Sequence, residues 1–254
     1  MGEKYFFKQP LQEAVIIKRN SQFTIDVMLN GKEIRCHCPT TTRIGSIDLS
    51  GVACLLSYNN DPKRKLKYTV EAISCDDVSK DNKKWIGINL IFSNKIVDFL
   101  LQTHRLDKIV NNYTTIHKEV VLGKSKLDFL VGDTYLEVKT PLISLEINYS
   151  SHIKTKKISD FSSTDRFEKH IKELASSLKE HEKAILLTVN QYIPDYTITK
   201  INKHLKSKNY TTIKQVVIDA VNKGVEFWNL QLNFQPDGVE LFDLRNNTQE
   251  VVNY

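Results

Sequence analysis

The chain has 254 residues, 41% of them hydrophobic, and a formal charge of +6. That length suits two modest domains or one large one with real apolar cores, and no stretch approaches the ~18 apolar residues of a membrane span. The opening residues Met1-Gly2-Glu3-Lys4-Tyr5-Phe6 lack the apolar run of a secretory leader, and Phe6 stands where acylation of Gly2 would want Ser or Thr, so a soluble cytoplasmic protein with no membrane partner is expected. The lysine-rich excess of positive charge favours a polyanionic partner such as nucleic acid, although the same lysines also suit an ordinary solvated surface.

Residues 12–80 read as β-structure. Ala14–Lys18, Phe23–Leu29, Glu33–Cys38, Val52–Tyr58 and Tyr68–Ile73 are five short strand-like runs, and Asn30-Gly31 between the second and third is a strong hairpin signal. Five closely spaced strands predict a small closed barrel of the OB type. Cys36-His37-Cys38 offers zinc-type ligands. Its spacing is not that of a knuckle and no second pair follows, so the four cysteines, all in the first third, are expected as reduced thiols packed like small apolar residues. A further short strand, Trp85–Ile91, closes this half, and residues 1–93 are expected to form one domain.

After Asn94 the pattern changes. Ile96, Val97, Leu100 and Leu101 have helical spacing within 95–109. A strand at 117–122, a hairpin 127–131/135–139, a polar loop 148–163, a helix 164–182, a strand Ala184–Val189, a helix 211–223 and a strand Val225–Leu232 follow. This order predicts a second domain, 94–254, with a mixed sheet between helices. In the helix, Phe167, Ile171, Leu174 and Leu178 form the buried stripe, and Thr164-Asp165 with Glu168 resembles an N-cap. Arg166, Lys169, His170 and Glu173 fall on an adjacent stripe that suits either a phosphate-facing surface or a plain solvated one.

The hairpin carries the chemistry. Gly132-Asp133-Thr134 reads as its turn, and strand alternation puts Glu137 and Lys139 on one side with Val138 on the other. Pairing brings Asp128 on the first strand towards Glu137. Two carboxylates beside an ammonium make a site for a hard divalent cation and the water it activates. Asp…Glu-x-Lys is the signature of PD-(D/E)xK nucleases. The spacing alone equally fits an edge hairpin with a paired Glu and Lys on its solvent face, but the apolar setting of Leu127, Phe129, Val131, Leu136 and Val138 buries these strands, where acids are costly.

These residues together resemble the sugar fermentation stimulation protein A family. Leu127-Asp128-Phe129 and Tyr135-Leu136-Glu137-Val138-Lys139-Thr140 resemble its Asp-Phe and Tyr-x-Glu-Val-Lys-Ser elements, and Thr164–Leu174 resembles its Thr-Glu-Arg-Gly-x-Lys-His-Leu-x-Glu-Leu helix. Ala184–Val189, Gly224-Val225-Glu226, Arg19 with Gln22-Phe23, His37–Arg43, Arg64-Lys65 with Tyr68-Thr69, and Asn89 with Asn94 fit in the same order. The sequence departs from the family at Thr40 and Thr42, which replace Asn and Gly, at Phe167, which replaces Gly, and at Phe161-Ser162-Ser163, where the family's loop acid is missing.

The resemblance implies an α/β chain, α+β overall: an N-terminal OB-fold β-barrel followed by a restriction-endonuclease-like α/β/α domain. The implied activity is that of a nucleic-acid-binding hydrolase, a Mg²⁺- or Mn²⁺-dependent nuclease acting on DNA and conceivably RNA. Asp128, Glu137 and the Val138 carbonyl would hold the metal, and Lys139 would serve the attacking water or the phosphate. Arg166, Lys169 and His170 would clamp the phosphate backbone, and Phe23, Arg43, Arg64, Lys65 and Tyr68 of the barrel would bind the strand. The alternative is a non-catalytic DNA-binding regulator of sugar metabolism on the same scaffold. The oligomeric state, a homodimer included, stays open.

Overall fold

The computed structural model describes residues 4–40, 42–123, 125–156, 165–195 and 210–253. After a two-residue strand β1 (Tyr5–Phe6), the five expected runs form β2 (Gln12–Arg19), β3 (Thr24–Leu29), β4 (Lys32–His37), β5 (Ala53–Tyr58) and β6 (Tyr68–Ser74). Asn30 and Gly31 both take positive φ, 49° and 76°, the backbone of a two-residue hairpin. Antiparallel pairing joins β4 to β3, β3 to β2, β2 to β5 and β5 to β6, and a parallel bridge from His37 to Thr69 shuts the ring. This is the closed five-stranded barrel of an OB-fold.

Alternation along β4 turns Cys36 and Cys38 into the barrel core and His37 away from it. All four cysteines are free and buried, and burial pushes the Cys36 and Cys75 thiols up to about 12. They pack as small apolar groups.

The next segment differs from the expected strand at Trp85–Ile91. Only β7 (Ile86–Gly87) is strand, and α1 (Leu90–Gln102) begins at once. Asn89 caps it, its side-chain oxygen accepting from the backbone N–H of Ile91 and Phe92 at 3.1 and 3.3 Å. At the far end the helix stops before Thr103 and His104 takes a positive φ of 55°. Leu106 and Ile109 lie in turns, with Val110 just after them, and all three are buried in the cluster that holds α1.

The rest builds a seven-stranded mixed sheet from β1, β8 (Ile116–Leu122), β9 (Ser125–Val131), β10 (Thr134–Lys139), β11 (Lys183–Asn190), β12 (Glu226–Gln235) and β13 (Gly238–Asn246), in the order β1-β13-β12-β11-β10-β9-β8. β10, β11 and β12 run parallel and the other pairs antiparallel. One face carries α1, and the other carries α2 (Asp165–Ser177) and α3 (Tyr210–Asn222), with a short α4 (Thr248–Val252) near the end. None of the described helices is long and apolar enough to cross a membrane.

Two elements cross the expected 93/94 boundary: α1 begins before it, and β1 pairs with β13 of the second sheet. The cores interleave as well. Leu11, Ala53, Leu55 and Ala72 of the barrel half pack in one cluster with α1, Leu136 and Val138. In return, Ile147 and, from the segment read as a polar loop, Ile153 enter the barrel core, and Thr155 bridges to Ile47.

Candidate active site

β10 is buried along almost its whole length, and its alternation decides which residues meet. Leu136 and Val138 enter the core beneath α1, whereas Tyr135 packs under α2. Glu137 and Lys139 therefore face α2, side by side as the spacing predicts. β9 behaves differently. Its pairing with β10 runs from Val131 to Phe129 and stops there. Leu127 packs under α2 while Phe129 packs under α1, so the strand's alternation breaks at Asp128. At this break the side chain takes over the ladder: Asp128 Oδ2 accepts from the Val138 N–H at 2.8 Å. On a strand a residue's N–H and C=O point to the same side, so the Val138 carbonyl faces the same gap.

The other Asp128 oxygen accepts from Asn94 Nδ2 of α1 at 2.7 Å. Burial pushes the Asp128 pKa up and the charge of Glu137 adds to it, against the Val138 N–H, Asn94 and Lys139. The first turns of α1 sit against the end of β10, where Thr140 Oγ1 donates to Ser93 Oγ at 2.6 Å. Asn94 is a residue whose role the sequence alone did not reveal: it stands just before the expected helix 95–109, whereas in the structure it lies on α1 and reaches Asp128.

Glu137 is 2% exposed. Its Oε1 accepts from Lys139 Nζ and lies within hydrogen-bond distance of His170 Nδ1, and the two nitrogens stand 3.3 Å apart. Its Oε2 is buried and has no hydrogen-bond partner among the described residues. A carboxylate oxygen in that condition is costly unless a cation meets it. The donors at hand are two carboxylates and a backbone carbonyl, all hard oxygens. Among the described residues no group of three His, Cys, Asp or Glu side chains is arranged to hold a metal by itself. A few carboxylates with water and substrate oxygens completing the shell is the arrangement Mg²⁺ favours, so these residues fit such an ion.

The expected phosphate clamp divides. Arg166 and Lys169 are exposed, but His170 is 5% exposed and belongs to the interior. The reason is spacing: His170 is three residues after Phe167 and four before Leu174, which puts it on the apolar face rather than the polar stripe. The N-cap at Thr164 and the loop 161–163 lie outside the described residues.

The barrel residues also divide. A cleft of 590 Å³ between the barrel and α1 is lined by His37, Tyr58, Arg64, Glu71, Asn89 and Lys95, among others. Tyr68 packs against Tyr58 with ring centroids 5.1 Å apart and planes tilted by 57°, and Arg64 donates to Thr69 Oγ1 at 2.8 Å. Burial, with the charge of Arg64, holds His37 below its ordinary pKa. Arg43 lines a separate hollow with Lys18, Arg19 and Lys156, while Phe23 and Lys65 are exposed on loops. Arg19 donates to the carbonyls of Ser21, Gln22, Thr40 and Thr42, so it holds the loop in which Thr40 and Thr42 stand.

The family model described as the sugar fermentation stimulation protein RE domain matches residues 91–238, and that of the SfsA N-terminal OB domain matches residues 17–88. The chain belongs to the sugar fermentation stimulation protein family. A sugar fermentation stimulation protein homolog of Pseudoalteromonas atlantica is 34% identical over 229 residues, covering 87% of this chain and 89% of that one. A homolog from a Synechococcus strain is also 34% identical, over 72% of each chain. Among solved structures, Pyrococcus furiosus SfsA in complex with Ca²⁺ superposes with a TM-score of 0.68 at 17% identity, covering 95% of this chain and 97% of that one. At that identity the likeness concerns the fold, and the SfsA architecture of barrel plus mixed sheet is common to both.

Proposed function

We propose that the chain is a metal-dependent phosphodiesterase acting on nucleic acid. The observation that carries this reading is the buried, unpartnered Oε2 of Glu137, set beside Asp128 and Lys139 on the strands of a restriction-endonuclease-like sheet. Asp128, Glu137 and the Val138 carbonyl would hold Mg²⁺ or Mn²⁺; the SfsA of Pyrococcus furiosus, whose structure is a Ca²⁺ complex, supports a divalent ion at such a fold. When bound, the ion would supply Lewis-acid polarisation of the phosphate and a water of lowered pKa.

The chain's own residues do the rest. Asn94 and the Val138 N–H fix Asp128. Lys139 is a third exposed at its side chain and tied to Glu137. A cation meeting Glu137 would release the ammonium to orient the attacking water or to neutralise charge on the phosphate oxygens. The water oxygen would form the new bond to phosphorus as the bridging P–O bond breaks, and the proton the water gives up would pass through solvent to the leaving alkoxide.

The substrate path follows from α1. Ile91, Phe92 and Lys95 line the cleft, and the neighbouring residues Ser93 and Asn94 touch β10 and Asp128. The cleft and the carboxylates thus lie on two sides of a single helical segment. Tyr58 with Tyr68 for base stacking and Arg64 and Lys95 for phosphate suit a single strand. Arg166 and Lys169 are offered as further phosphate contacts, and Phe23, Arg43 and Lys65 as outer ones.

The alternative, a DNA-binding regulator that does not cut, draws support from one feature: Phe161-Ser162-Ser163 has no acid where the family has one. Labelled single-stranded and duplex DNA and RNA incubated with the protein and Mg²⁺, Mn²⁺ or EDTA separates the two, since cleavage that requires the ion is expected only of the enzyme.

A further inference from the structure

His170 is the group that the nuclease signature does not account for. It lies outside the Asp…Glu-x-Lys motif, is almost wholly buried, and points its Nδ1 at the one carboxylate that the sheet buries most deeply. We infer that His170 is a positioning residue for metal binding: its Nδ1–H holds Oε1 of Glu137 so that Oε2 is the oxygen presented to the cation. This rests on the metal reading above and goes beyond it by naming what orients the ligand.

The chemistry leaves one assignment of the donor. An ionised carboxylate only accepts, so the nitrogen facing Oε1 carries the hydrogen. Lys139 donates to the same oxygen. One donor would be enough to satisfy Oε1; two make the grip redundant. Lys139 can therefore leave for water or phosphate while Glu137 keeps its rotamer, because His170 is almost wholly buried on α2, which Ile171 and Leu174 anchor in the core beneath it. A ligand that had to be held by the catalytic lysine would lose its orientation at the step where the lysine is needed. Outer partners that orient a metal ligand are typically worth about 10–100-fold in affinity.

The test is Mn²⁺ titration by calorimetry in the absence of nucleic acid, on the wild type, His170→Asn, His170→Gln and Glu137→Gln. The Asn amide nitrogen stands roughly where Nδ1 stands, whereas that of Gln stands nearer Nε2. His170→Gln is expected to bind Mn²⁺ at least ~10-fold more weakly than wild type, with His170→Asn recovering most of the loss and Glu137→Gln losing the site. A merely structural histidine would give the opposite order or equal losses, since Gln replaces the ring volume better than Asn does. Equal losses, or no loss in either variant, overturn the inference. Should the variants not fold, ¹⁵N correlation spectra of the wild-type histidines decide it: a His170 ring without a hydrogen on Nδ1 overturns the assignment, and one with it upholds it. A wild type that binds no Mn²⁺ removes the metal reading and this inference together, whereas unaltered binding in the His170 variants removes the inference alone.

Discussion

Lys139 is where the catalytic and the plainly structural readings of the site part most clearly. Replacing it with Met takes one of two donors from Glu137 Oε1 and leaves His170. The charge-assisted bond belongs to a partly exposed lysine, so in EDTA the variant should lose on the order of 1–2 kcal/mol. With saturating Mn²⁺ that difference should shrink, because a bound cation takes over the compensation of Glu137. Cleavage should fall by ~10²-fold or more. Thermal melts with and without the ion, alongside turnover, read all three; full activity, or a stability loss that the ion does not relieve, would remove the role assigned to Lys139. Glu137→Gln should lose cleavage while nucleic-acid affinity stays within several-fold of wild type, since phosphate contacts come mainly from lysines and arginines elsewhere.

Individual elements rest on a few contacts whose removal has a definite sign. Asp26 and Arg35 face each other across β3 and β4, joined by bonds of 2.8 and 3.0 Å, and the guanidinium holds the Asp26 carboxyl down to about 2. The folded pKa lies below the unfolded value near ~3.9, so the pair's contribution is present above that value and is lost as pH falls towards 2. Asp26→Asn should therefore be less stable than wild type at neutral pH and lose less between about pH 4 and 2, which denaturant melts across that range would measure. At β1 the limit is space. A Cβ on Gly238 would stand 2.2 Å from the Tyr5 carbonyl oxygen, so Gly238→Ala should displace β1 from β13 at a cost of about 1–3 kcal/mol and open the N-terminal segment to proteolysis. Unchanged stability and protection would mean that β1 contributes nothing to the fold. These elements also show what the sequence could reveal. Strands β2–β6 were legible because alternation and the Asn30-Gly31 turn are local signals. β13 was not, although Pro236-Asp237-Gly238 is a turn between two apolar runs. The start of α1 was hidden because Ile86, Ile88 and Leu90 alternate like a strand, and only the Asn89 cap separates the two elements.

At the scale of the whole molecule, the sequence pointed to the residues of the proposed site and told less of how they are held. Glu137 and Lys139 follow from strand alternation and the hairpin brings Asp128 near them, all short-range signals, whereas the break in alternation that turns Asp128 to the Val138 N–H was not legible. The contacts of Asn94 with Asp128 and of His170 with Glu137, and the cleft, depend on how α1 and α2 pack on opposite faces of the sheet; helical spacing shows that His170 faces inward but not which residue it meets. Under the proposed function, the same packing would let the two halves serve as one binding surface. Binding to single strands should weaken steeply with salt: with ~4–6 phosphate contacts the log–log slope is roughly −3 to −4. Arg64→Glu in the cleft should reduce that slope by about one or more, and Tyr58→Ala should cost ~1–3 kcal/mol of affinity. Salt-independent binding, or indifference to both changes, would move the binding surface elsewhere.

The central claim is that the orphaned oxygen of Glu137 exists to meet a metal ion that cuts a nucleic-acid strand. Its most direct test is end-labelled single-stranded DNA incubated with the purified wild type and with Glu137→Gln, in Mn²⁺ and in EDTA. Shortened products from the wild type in Mn²⁺, with none in EDTA and none from Glu137→Gln in either, are the predicted result. Equal cleavage by both proteins would contradict the site, and strand binding without cleavage under any divalent ion would contradict the enzyme.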